Sequence, residues 1–140
     1  MINLLNELVN YLSDKLTLTP STNIFYNSMP DSPNTSVLLT LPREHIPVLP
    51  QIDASTHYLR VTARAKLETD AYDLAASCYR WLLSDEALID EDTDTYGFIT
   101  LDNNLVVRVQ LHGTPIWDKT DQQGRVYYYF TATIVTKKLI

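Results

Sequence analysis

Apolar residues recur at three- and four-residue spacing at the start of the chain: Ile2, Leu5, Val9, Leu12 and Leu16, with Leu4 and Leu8 beside them. Asn3, Asn6, Glu7, Asn10 and Asp14 fall largely on the opposite side, so the spacing predicts an amphipathic helix, and Pro20 ends it. The period then drops to two. Residues 24–26 and 35–41 read as strands on either side of a turn-rich stretch, 27–34. Residues 57–67 alternate most clearly, with Leu59, Val61, Ala63, Ala65 and Leu67 on one face and Tyr58, Arg60, Thr62, Arg64 and Lys66 on the other. Helical spacing returns over 70–83, where Ala71, Leu74, Ala75, Cys78 and Leu82 form the apolar face and Trp81 flanks it. Thr69 or Asp70 can cap this helix, and Asp73 adds negative charge where the helix dipole favours it.

The last part of the chain is strand-rich. Residues 96–101 and 105–111 predict a hairpin around Asp102-Asn103-Asn104, with Val107, Val109 and Leu111 sharing one face and Val106, Arg108, Gln110 and His112 the other. Residues 113–125 read as a polar, Pro-containing connection closed by the turn residues 121–125. The run 126–136 then combines aromatic and β-branched residues throughout. Val126, Tyr128, Phe130, Ala132 and Ile134 lie on one face and Tyr127, Tyr129 and Val135 on the other, so this strand calls for cover on both sides. Pro42, Pro47 and Pro50 keep residues 42–56 from forming a helix or a central strand. A connection of that length is either a surface hairpin loop or a docking arm, whose candidate residues are Pro42, Arg43, Pro47 and Pro50. The order of elements predicts an α+β fold, a largely antiparallel sheet with the N-terminal and central helices packed on it, in a single domain over 1–140.

Charge narrows the function. A formal net charge of −6 at pH 7 argues against a duplex-binding module but is compatible with a wall past which DNA slides. One cysteine leaves no internal disulfide framework. No signal-peptide order and no apolar run of membrane length is present, so the expectation is a protein made in the cytoplasm and independent of membranes. Arg60, Arg64 and Lys66 form a cationic strand face that is either solvated or paired with carboxylates of a neighbouring subunit, and Tyr127 and Tyr129 join them as interface candidates.

Catalytic and metal signatures fail one by one. Asp90, Asp92 and Asp94 have the first spacing of a calcium loop, but Thr95 and Leu101 stand where that loop needs Gly and a bidentate Glu. Asp90, Glu91, Asp92 and Asp94 are therefore a solvated acidic loop first, an acidic patch facing DNA or a basic neighbour second, and a looser cation site last. His45, His57 and His112 lack ligand spacing, and Cys78 lies in an apolar stripe without a nearby base. No phosphate loop, nucleophile elbow or dinucleotide fingerprint occurs, so no cofactor and no enzymatic activity is expected.

The order of these elements resembles the tail terminator and minor capsid (head–tail joining) proteins of tailed bacteriophages, over nearly the whole chain. The resemblance is carried by the N-terminal apolar helix, the strand 58–65 with its alternating arginines, the helix after it, the loop 115–125 ending in Gly124-Arg125, and the tyrosine-rich terminal strand. Ile116-Trp117 stands where the family typically has Leu-Gly before the loop aspartate. The resemblance implies a structural protein of the virion neck, assembled in the host cytoplasm as a homohexameric ring. It implies a tail tube protein and a head connector as partners, with DNA passing through the lumen without specific binding. Two alternatives remain at this point: a head-completion or tube-associated protein of the same neck region, and a small acidic inhibitor module that binds a host protein.

Overall fold

The computed structural model of the protein describes residues 2–41, 46–47, 54–83 and 99–138. Helix α1 (Ile2–Leu16) is followed by strands β1 (Ile24–Tyr26), β2 (Ser36–Thr40), β3 (Ile46–Pro47) and β4 (Ala54–Ala65), then helix α2 (Glu68–Leu83). Strands β5 (Ile99–Thr100), β6 (Asn104–Leu111), β7 (Ile116–Thr120) and β8 (Val126–Lys138) complete the order. The α+β class and the mostly antiparallel sheet are as the sequence predicts. The path of the sheet is β1-β2-β4-β8-β6-β5, with β3 beside β4 and β7 beside β8, and the β1–β2 pair is parallel.

The long strands β4 and β8 form the centre, paired over twelve positions from Ala54↔Lys137 to Ala65↔Val126. Alternation sends Leu59, Val61, Phe130, Ala132 and Ile134 to one face, where Leu4, Leu5, Leu8, Val9 and Leu12 of α1 and Cys78 and Leu82 of α2 meet them in one buried core. The stripe predicted for α1 is thus the face that packs. In α2, Ala71 and Ala75 are fully buried, and small residues let a helix approach a sheet closely.

Four local expectations are corrected. Strand β4 begins at Ala54 and stops at Ala65, so Leu67 lies beyond the ladder and is exposed. The stretch 42–56 is not wholly irregular, because Ile46 pairs with Thr56 and Pro47 with Ser55 in an antiparallel hairpin. In β6 a bulge between Val106 and Arg108 shifts the phase of the alternation. Val106, opposite Thr136, therefore shares the core face with Val109, opposite Ile134, and Val106 is buried. Residues 116–120 are a strand, not part of a loop, and β7 pairs with the first half of β8. The predicted turn at 102–104 stands: the Leu101 N–H donates to the Asn104 carbonyl at 2.8 Å. The buried Glu7 carboxylate accepts from the Asn103 N–H and the Asn104 side-chain amide, which ties α1 to that turn.

Candidate assembly surface

With both helices on one side, the second face of the sheet carries a ladder of cations on aromatic rings. Arg60 lies with its guanidinium carbon 3.9 Å from the centroid of the Tyr129 ring and donates to Asp118 Oδ2 at 3.2 Å. Both geometries favour Arg over Lys, because a planar guanidinium can stack and fork at once. A bulge in β7 between Trp117 and Lys119 makes this possible. It allows Asp118 to reach Arg60 while Lys119 places its ammonium 4.7 Å above the Tyr127 ring. His112 continues the face, with Nδ1 3.1 Å from Thr131 Oγ1 and Nε2 2.8 Å from Thr133 Oγ1, and its ring lies 6.1 Å from that of Tyr58.

One end of this face is closed by the loop between β1 and β2. Arg64 is 2% exposed and donates to the carbonyls of Pro30 (2.9 Å), Pro33 (2.6 Å) and Asn34 (3.2 Å). Arg125, 3% exposed, holds the same loop from the other side. It donates to Asp31 Oδ1 at 2.7 Å and to Asp121 Oδ2 at 2.8 Å. Tyr127 donates its hydroxyl to Asp121 at 3.0 Å, and the Gln123 amide reaches Asp31. Desolvation raises the Asp121 carboxyl, but hydrogen bonds from the Arg125 backbone and guanidinium, the Tyr127 hydroxyl and the Gln123 N–H outweigh it and take it down to about 2. The guanidinium of Arg125, followed by Gln123, also holds Asp31 below the usual carboxylate range. Gly124 sits at φ +79° in this turn, where the left-handed backbone favours glycine.

Large apolar side chains reach solvent at the β7 end of the sheet. Ile116 (52%), Trp117 (55%), Tyr72 (41%) and Leu67 (62%) are the exposed large hydrophobics among the described residues. Trp117 is the register partner of Tyr128, whose ring meets Tyr72 edge-on at 5.5 Å and whose hydroxyl donates to Glu68 at 2.7 Å. That bond to Glu68 raises the Tyr128 hydroxyl above its ordinary value. Ile116, the register partner of Tyr129, and Trp117 lie on opposite faces of β7, so apolar area is exposed on both sides of that strand.

The residues singled out in the sequence thus divide. Arg60 and Tyr129 come together half-buried on this face, Tyr127 beside them is buried, and Lys66 is exposed just beyond the end of β4. Arg64 lies beside Tyr127, 5.9 Å from its ring centroid, but its donors are committed to loop carbonyls of its own chain. Asp90, Glu91, Asp92 and Asp94, and Pro42, Arg43 and Pro50 of the arm, lie outside the described residues. Pro47 lies in β3. Sequence reasoning did not name Trp117, Asp118 or Arg125 as site residues, although the loop 115–125 that holds them carries the family resemblance. Among the described residues no group of three or more His, Cys, Asp or Glu side chains is arranged to hold a metal ion, and no helix is long and apolar enough to cross a membrane. Burial pushes the Cys78 thiol up to about 12.

The chain matches the protein family described as bacteriophage tail terminator protein over residues 11–138, a span that includes α2 and all eight strands. No individual curated protein matches it.

Proposed function

The chain belongs to the bacteriophage tail terminator family, and from that premise we propose that it forms a homohexameric ring that caps the tail tube and joins it to the head connector. As a phage tail protein it is a component of the virion that meets other tail and neck proteins; the ring and the joining role are the proposed part. The observation that supports the ring is the sheet face away from the helices, where Arg60 stacks on Tyr129 and Lys119 on the buried Tyr127, with no helix over them among the described residues. Aromatic and Arg side chains held in place before contact are what interface centres are enriched in. Specific interfaces bury roughly 1,200–2,000 Å² in total, an area that a single side chain cannot supply and a sheet face with the exposed β7 corner beside it can.

In this reading Arg60, Lys66 and Tyr129 meet the neighbouring subunit, while the buried Tyr127 and Arg64 hold them in place. The arm residues Pro42, Arg43, Pro47 and Pro50 contact the connector or tube. Asp90, Glu91, Asp92 and Asp94 face the lumen, where like charge keeps DNA from adhering. The role is structural, with no cofactor, and assembly takes place in the host cytoplasm. The test is the solution mass of the purified protein by light scattering, alone and with the tail tube protein. A six-fold multiple of the 16.0 kDa chain, or a ring that forms only on the tube, is the expected result. A monomer under both conditions would overturn the ring.

A further inference from the structure

A closed ring of identical subunits joined head to tail needs two different surfaces on each copy that fit one another. Two such surfaces lie at opposite edges of one row of strands. The registers Ile24↔Val37, Val37↔Ala63, Ala63↔Tyr128 and Tyr128↔Trp117 run straight across β1, β2, β4, β8 and β7. Four strand spacings separate the two ends of that row by roughly 19 Å. At one end Trp117 projects, 55% exposed, on the helix-covered face. At the other end, at the edge of the sheet, a groove of about 480 Å³ opens between α1, β1 and the start of the loop after β1, lined by Asn6, Val9, Ile24, Phe25, Ser28 and Pro30 among others.

Resting on the ring reading above, we propose that Trp117 of one copy seats in the α1–β1 groove of the next copy and forms the centre of the head-to-tail contact. Three observations fit this occupant. Among the described residues no Asp, Glu, Lys or Arg lines the groove, so an uncharged knob enters without desolvating an ion there. Asn6, Asn27 and Ser28 offer acceptors at its rim, and the Trp117 indole N–H is held within its own chain only by a long 3.4 Å contact to Thr120 Oγ1. Finally, the outward carbonyls of β1 are already engaged within the chain. The Ile24 carbonyl already accepts from the Ser21 N–H at 3.0 Å, and the Tyr26 carbonyl from the Ser28 N–H at 2.9 Å. An inserted tryptophan docks through its side chain and needs neither carbonyl.

The test uses a knob variant, Trp117→Ala, and a socket variant, Ser28→Arg, each at an exposed position. Masses are measured by light scattering under the condition that assembles the wild type, with thermal unfolding as the folding control. Each variant alone is expected to stay monomeric to concentrations about 30-fold or more above the wild type, the loss expected of an interface hot spot. Mixed in equal amounts they are expected to give a dimer and nothing larger, because one intact knob then meets one intact socket. Wild-type assembly by both variants, or a mixture that stays monomeric, would overturn this contact and leave the ring standing. A wild type that is monomeric both alone and on the tube would overturn the contact together with the ring.

Discussion

Arg64 and Arg125 are almost inaccessible to solvent, yet neither stands on the apolar side of the sheet. Both are there because the loop of residues 27–35 folds over them and supplies acceptors, three carbonyls to Arg64 and Asp31 to Arg125. Asp121 gathers the second half of that arrangement: Arg125, Tyr127 and the Gln123 N–H all donate to its two oxygens. Its folded-state pKa of about 2 lies below the ordinary 3.8, so the carboxylate stabilises the fold fully above pH 3.8, and that contribution is lost as pH falls through about 2. Asp121→Asn is therefore expected to lower the melting temperature by a constant amount at neutral pH, and the gap should close between pH 3.8 and 2. Melting curves of the two proteins across that window check it, and a gap that persists unchanged down to pH 2 would show that Asp121 acts through something other than its charge.

At the scale of elements, α1 is the piece whose loss the rest can least absorb. Leu4, Leu5, Leu8, Val9 and Leu12 all enter the core, although the family match begins only at residue 11. Leu8 is fully buried, and Leu8→Ala removes its contacts and leaves a cavity, a loss of about 2–5 kcal/mol. Denaturant unfolding followed by circular dichroism measures it; a change below about 1 kcal/mol would mean that α1 collapses into the space or packs less tightly than its burial indicates. This helix was legible in the sequence because one face is apolar and the other polar. Aromatic and β-branched composition located β8, and alternation located β4, whose burial alternates over residues 57–61. It failed at β7, whose residues are exposed or half-buried, so no alternation exists to be read. It also failed at β6, where one extra residue at the bulge reverses the phase and moves Val106 to the core side. The burial of Arg64 was out of reach for a different reason: its acceptors lie some thirty residues away, and local pattern carries no information about a loop that closes over a strand. The open face was half legible. Tyrosines and arginines on facing strands were legible as a face that is either solvated or paired with a neighbour, but the Arg60–Asp118 pair depends on the bulge in β7.

For the whole molecule, the two arginines of one strand face separate folding from assembly. Arg60 has a third of its side chain exposed, stacks on Tyr129 and pairs with a half-exposed Asp118; an ion pair this wet contributes little to folding, about 0–1 kcal/mol. Arg64 is sealed, and its replacement leaves carbonyls of the 27–35 loop without donors, at about 1–3 kcal/mol for a buried polar group left unpaired. Arg60→Glu should therefore melt close to the wild type and yet fail to reach the assembled mass, since it places a carboxylate beside Asp118 at the face proposed to meet the next subunit. Arg64→Glu should melt well below the wild type, because the reversed charge is buried against carbonyl oxygens. Any assembly defect it shows then follows from the fold. Light scattering and thermal unfolding on both variants decide the matter. If Arg60→Glu assembles as the wild type does, the open face is not the subunit contact. The exposed corner around Trp117 would then have to carry the ring alone.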